Sequence, residues 1–211
     1  MKPRRLQIGA SRLEKLSVKV LQVFLDKTWT HLGEETLSNP NNKPLQKVDY
    51  SKTNFIPFYF QKGDSLPFKD ESFEHIFTEH FLEHLFLEDA IEILKECQRV
   101  LIPGGVMRIV APDADLRPIP EILGFPGDHY SFNDPQKHKT RWSLYSLRPA
   151  LEIAGLDTIS IKHYDQKGIL HDKTQSLPLK EHENCLDQEM LKEISHIQRY
   201  NSLIIDGVKN A

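Results

Sequence analysis

Residues 80–84 read His80-Phe81-Leu82-Glu83-His84, an H-x-x-E-H pattern. On a helix that spacing sets two imidazoles one turn apart, where they hold a zinc ion while the glutamate acts on a water. Other groups able to bind polar ligands or move protons stand nearby in the chain: Asp64 and Ser65, Glu79, Asp113 and Asp115, and Lys137-His138-Lys139 with Arg141-Trp142. Carboxylates accept the hydroxyls of a ribose, imidazoles exchange a proton near neutral pH, and clustered cations with aromatics meet an anion or a substrate. Two features argue against a zinc hydrolase. The motif follows a strand pattern directly and precedes a turn and strand, and no later helix offers a clear third ligand. His163, His171, His182 and His196 share no metal-ligand spacing either. In a chain with ten histidines a five-residue match arises easily by chance, so no bound metal is expected.

The elements that must position these groups are legible in residues 63–115. Residues 73–78 alternate apolar and polar before a polar break at Glu79 and His80, the pattern of a strand that runs out at a sheet rim. Leu87, Ala90, Ile91, Leu94, Cys97 and Leu101 recur at three- and four-residue steps, which predicts an amphipathic helix. Pro103-Gly104-Gly105 predicts a tight turn, and residues 106–111 a mostly buried strand ended by Pro112-Asp113. Strand, helix and strand in that order imply a right-handed crossover in a parallel sheet, where ligands lie beyond the carboxyl ends of the strands. Asp64, Glu79, His80, Asp113 and Asp115 then share one rim.

The rest of the chain fits around that unit. Residues 5–8 predict a first strand that runs into Gly9-Ala10-Ser11, small residues that let a ligand approach the backbone, and Leu13, Leu16, Val20, Val23 and Phe24 predict a helix after them. Residues 28–32 predict a second strand, ending at Gly33-Glu34-Glu35, where a carboxylate can accept ribose hydroxyls. Residues 39–52 read as a loop, and residues 55–61 as a third strand that Pro57 confines to an edge. Residues 116–135, rich in proline, glycine and aromatics, predict an irregular segment, and residues 118–142 a substrate cover. A helix over 143–154 stopped by Gly155, a strand over 156–163, a short helix within 188–199 and a last strand over 201–208 complete the reading.

A chain of 211 residues is long enough for one domain with a full core, and residues 1–211 are read as a single domain. A net charge of -3 and a pI near 6.4 give no broad basic field, so no nucleic-acid partner is expected. No apolar run approaches the length needed to span a bilayer, and Cys97 and Cys185 read as free thiols of a reducing compartment; the expected location is the cytoplasm, with no membrane partner.

One set of segments has a wider likeness: Leu6-Gln7-Ile8-Gly9-Ala10, Gly63-Asp64-Ser65-Leu66-Pro67-Phe68 with Asp70 and Ser72-Phe73-Glu74, residues 80–85, Arg99-Val100-Leu101-Ile102-Pro103-Gly104-Gly105, and Arg108-Ile109-Val110-Ala111-Pro112-Asp113. With these, the chain resembles the class I S-adenosylmethionine-dependent methyltransferases, more narrowly the small bacterial methyltransferase-domain proteins often associated with sugar or cell-surface biosynthesis. The resemblance implies a three-layer, Rossmann-like α/β fold, with a mostly parallel sheet and an antiparallel last strand. It implies S-adenosyl-L-methionine as cofactor and a small-molecule or sugar-type methyl acceptor. It places Gly9, Ala10 and Ser11 against the methionine part of the cofactor, Glu34 on the ribose, Asp64 and Ser65 at the adenine, and Glu79 and His80 beside cofactor and substrate. For a hydroxyl acceptor, His80, Asp113 and His138 are the candidate bases, in that order. The rival expectation is a non-catalytic binding protein of the same fold, because the first motif keeps a single glycine.

Overall fold

The computed structural model describes residues 4–10, 15–16, 18–34, 46–47, 49–116, 138–173 and 202–210. In chain order its elements are β1 (Arg5–Ile8), β2 (Lys15–Leu16), α1 (Val18–Leu25), β3 (Trp29–Gly33), β4 (Gln46–Lys47), β5 (Phe55–Pro57), β6 (Phe73–Glu79), α2 (Leu87–Val100), β7 (Leu101–Pro112), α3 (Leu144–Ile153), β8 (Leu156–Tyr164), β9 (Leu170–Asp172) and β10 (Ser202–Lys209).

Eight strands form one sheet in the order β5-β3-β1-β6-β7-β10-β8-β9, while β2 and β4 pair antiparallel as a separate ribbon. From β5 to β7 every neighbour is parallel, and β10 inserts antiparallel between β7 and β8. The central strands are apolar on both faces because both faces are covered. Ile76, Ile109, Ala111, Leu203 and Ile205 join α2 and α3 in one core, whereas Phe77, Val110 and Ile204 join Val23 of α1 in another. That alternation, one residue to each side, is the period of a pleated strand and makes the domain three layers. Across β7 and β10 the buried Arg108 and Asp206 face each other in register and share two 2.8 Å hydrogen bonds, so each charge has its partner inside the sheet.

Several elements depart from the pattern in the sequence. The first helix begins at Val18, because Lys15 and Leu16 pair with Gln46 and Lys47. The third strand stops at Pro57, an edge position as its proline requires, and residues 58–62 leave the sheet. Pro103-Gly104-Gly105 is no turn between helix and strand. Leu101 already pairs with Phe73, and the following residues bulge, with Gly104 at φ +77, before Val106 takes up pairing with His75. The buried stripe of α2 is Ala90, Ile93, Leu94, Cys97 and Val100, so it is rotated from the expected one and leaves Leu87 half exposed. Helix α3 forms where expected and buries Leu144, Leu147, Ala150 and Leu151, and Ser143 and Ser146 cap its start reciprocally. The strand β9 has no counterpart among the elements expected from the sequence. The expected helix within 188–199, Cys185 and most of the expected cover lie outside the described residues.

Candidate active site

Because β1, β3, β6 and β7 run parallel, their carboxyl ends open on one rim, and the pairing there is tight. Ile8 pairs with Thr78, so Gly9, where the chain leaves β1, stands next to Glu79, the last residue of β6, which still pairs with Val110. The backbone N–H of Ala10 donates to the carbonyl of Leu32 at 2.8 Å, which folds the exit of β1 across the end of β3. Gly33 makes that crossing possible: a Cβ there would stand 1.5 Å from the carbonyl oxygen of Ala10. Glu34 follows directly with its side chain exposed. Gly9 turns the chain at φ +82, and the space a Cβ would take is filled by Phe81, whose carbons lie 2.8 to 3.0 Å from that position. Ser11 lies outside the described residues.

Asp64 and Ser65 are exposed and held from another direction. The Asp64 carboxylate accepts the Gln61 N–H at 2.8 Å. Glu92 accepts the N–H of Gly63 and Glu96 that of Leu66, while Arg99 donates to the carbonyls of Leu66 and Phe68 and to Asp70. Residues 63–70 are thus strapped along α2. The Arg99 guanidinium, first among its partners, holds the Glu96 carboxyl below the usual carboxylate range. This strap was missed in the sequence, where its one signal was the Glu96/Arg99 pair three residues apart.

The remaining groups gather beyond β6. His80 adopts a left-handed backbone conformation at φ +49, uncommon for a residue with a side chain, and its N–H bonds to Val110. Its Nδ1 stands 3.1 Å from Oε1 of Glu83, a carboxylate with only 1% of its surface exposed. Leu82–His84 is a single 3-10 turn, so the H-x-x-E-H residues do not lie on an α-helix and the two-imidazole zinc geometry expected of one is absent. The carbonyl of Glu83 accepts the N–H groups of Lys139 and Thr140, which brings His138 to 4.0 Å from the same carboxylate. Asp113 sits apart. Its two oxygens accept the N–H groups of Tyr164 and Asp115, a brace between β7 and β8, and burial pushes its carboxyl up against those hydrogen bonds. Trp142, expected at a substrate-facing cluster, is buried in the core. A cavity of about 690 Å³ between Arg4, Asp26, Lys27, Phe68 and Ser72 opens at the opposite, amino-terminal ends of the strands, against Phe68 of the strapped segment.

The family model described as "Methyltransferase domain" matches residues 21–109. Among solved structures, the chain is similar to a SAM-dependent methyltransferase from Archaeoglobus fulgidus (17% identity, 99% of this chain and 86% of that one, TM-score 0.51). A SAM-dependent methyltransferase from Thermotoga maritima aligns at 14% identity over 100% and 84%, with a TM-score of 0.54. The Burkholderia thailandensis 1,6-didemethyltoxoflavin-N1-methyltransferase, solved with its substrate and S-adenosylhomocysteine, aligns at 13% over 100% and 72%, with a TM-score of 0.51. At such identities the likeness is one of fold. No curated protein matches the chain. The matched segment is less than half of the chain, so it and the shared fold make the chain similar to methyltransferase domains, and the group that such a likeness points to is S-adenosylmethionine.

Exposed carboxylates at Glu34 and Asp64 have the chemistry to accept hydroxyls or an exocyclic amine, and Gly33 keeps the crossing of β1 and β3 free of side chains. The described residues fit the group, with one qualification of shape: the face of Gly9 toward Phe81 is already filled by protein.

Proposed function

We propose that the chain transfers a methyl group from S-adenosylmethionine to a small-molecule acceptor, with a sugar-type hydroxyl as the first candidate. When bound, the cofactor supplies a methyl carbon made electrophilic by its sulfonium. In this reading the turn at Gly9 and Ala10, continued through Ser11, receives the amino-acid end, Glu34 accepts the ribose hydroxyls, and Asp64 and Ser65 hold the adenine. Glu79 borders the methyl group. Alignment of the acceptor supplies much of the rate, since displacement at carbon needs no nucleophile from the protein. A hydroxyl acceptor must still lose a proton, and His80 is the base best supported, being half-buried at the strand end beside Glu83. His138 comes next. Asp113 is the weakest of the three, since backbone amides already engage both its oxygens.

The observation that carries the proposal is the meeting of Gly9 and Glu79 on parallel neighbours, with Ala10 drawn over Gly33 so that Glu34 lies at the same rim. Titration calorimetry with S-adenosylhomocysteine tests it. We expect saturable one-to-one binding by the full chain, weakened about tenfold by Glu34→Ala or Asp64→Ala, the loss of ~1.4 kcal/mol expected for a hydrogen bond to a charged group. A wild-type chain that binds no S-adenosylhomocysteine overturns the proposal in favour of a binding protein that kept the fold. That second reading has its own observation, since Phe81 and the positive φ account for the glycine at position 9 without a ligand.

A further inference from the structure

Glu83 enters the methyl-transfer scheme only as the neighbour of His80, yet its own chemistry is unusual. Its carboxylate is buried, and among the described residues neither oxygen makes a well-formed hydrogen bond. The described side chains nearest to it are imidazoles, where a buried carboxylate normally has amides or a guanidinium. Glu83, His84 and His138 each present one donor atom, and all three atoms lie within 4.8 Å of one another. The rings of His84 and His138 meet edge to face at 5.0 Å. Nδ1 of His80 lies 3.1 Å from Oε1, the oxygen that Nε2 of His138 approaches to 4.0 Å.

We infer that Glu83, His84 and His138 bind one divalent transition-metal ion of the zinc class, with a coordination position left open toward the rim. Two imidazoles and one carboxylate form a donor set suited to such ions, and three protein ligands leave a position for an exogenous oxygen or nitrogen. Donors around an ion with bonds of ~2.1 Å stand about 3.4 Å apart, so side-chain rotations of about an ångström close the site. Its frame is already fixed. The N–H groups of Lys139 and Thr140 bond to the Glu83 carbonyl, and the Thr140 hydroxyl bonds to the Leu85 carbonyl, which hold His138 against the 3-10 turn. His80 then acts as the outer partner that orients the carboxylate, and its left-handed backbone is the strain by which the chain aims it.

The arrangement differs from that suggested by H-x-x-E-H, since the glutamate is a ligand and the second imidazole pairs with one from a distant segment. Resting on the methyltransferase reading, the inference gives the open position to the acceptor's heteroatom, leaves His80 as base and removes His138 from that role.

The test uses the full chain stripped of metal with a chelator and titrated with Co²⁺ alone. We expect one equivalent to bind, with a visible d–d band that Zn²⁺ abolishes by competition and azide shifts through the open position. Loss of a ligand in Glu83→Gln or His138→Asn lowers affinity by more than about 100-fold, beyond the range of changes to outer partners. His171→Asn, at an exposed imidazole elsewhere, leaves the titration unchanged. Should either ligand variant fail to fold, the wild type suffices: saturating Zn²⁺ protects His84 and His138 from diethylpyrocarbonate, read by peptide mass spectrometry. Weak binding of several equivalents, a band insensitive to azide, or no protection overturns the inference. S-adenosylhomocysteine calorimetry on the same metal-free chain reads the cofactor site separately, so the two proposals fail independently.

Discussion

Lowering the pH should destabilise the domain through one histidine in its core. His31 lies on β3 with none of its surface exposed, stacked on Phe24 at 4.2 Å and 9°, with Nδ1 2.8 Å from the amide oxygen of Gln7. Burial lowers its pKa from 6.5 to about 4, against smaller opposing effects of the Val23 backbone and Asp26. The folded state keeps the ring neutral where the unfolded chain already takes up a proton, so between 6.5 and about 4 the unfolded state binds more protons. Stability therefore falls as the pH drops below 6.5, and the loss levels off once the folded ring also titrates near 4. At ~1.36 kcal/mol per pH unit the full loss is about 3.4 kcal/mol, with about 2 kcal/mol of it reached by about pH 5. Urea unfolding of the wild type and His31→Leu at about pH 8 and about pH 5 isolates this effect, because every other group contributes equally to both proteins. The wild type should lose about 2 kcal/mol more than the variant between the two conditions. Equal losses would refute the assignment of a neutral His31 in the folded state.

Two further outcomes follow from the site's supports. Gly33→Ala puts a methyl group 1.5 Å from the Ala10 carbonyl oxygen, so the crossing of β1 over β3 must open by about 2 Å to reach ordinary contact; we expect a loss of ~2–3 kcal/mol in urea unfolding and of S-adenosylhomocysteine binding in calorimetry, and a variant of unchanged stability would contradict this geometry. Arg99→Met releases residues 63–70 from α2; hydrogen exchange at these amides should accelerate and S-adenosylhomocysteine affinity fall about tenfold, whereas unaltered exchange would mean that Arg99 does not hold the segment that presents Asp64.

How much of this was legible in the sequence depended on the range of the interaction involved. Strands with a two-residue alternation or an apolar run, such as β6 and the buried part of β7, announced themselves because one strand carries its own periodicity. The stripe of α2 was misread by one position because Leu87 and Ile91 satisfy the same three- and four-residue steps as Ile93 and Val100; which face turns inward is decided by the sheet and by α3, not by the helix alone. Lys15 and Leu16 looked helical for the same reason, until pairing with Gln46 and Lys47 took them out of the helix. Gly33 signalled no more than the end of a strand, since its role depends on Ala10 arriving from another strand at 2.8 Å from Leu32.

The candidate site divides along the same line. Gly9, Glu34, Glu79 and His80 were legible because each sits where a strand ends, and parallel topology collects strand ends at one rim. The cluster at Glu83 was not, because a local motif invites a local partner. Neighbours in the motif lie within one turn, whereas His138 comes from a segment pinned by two backbone N–H groups to the carbonyl of Glu83 itself. Main-chain hydrogen bonds leave no trace in residue type, which is why a carboxylate with three histidines around it read as a coincidence of spacing. The same bonds make the cluster more than a chance encounter of side chains: moving His138 away would strip two amide partners from the backbone of a buried residue, at a net cost of ~1 kcal/mol each.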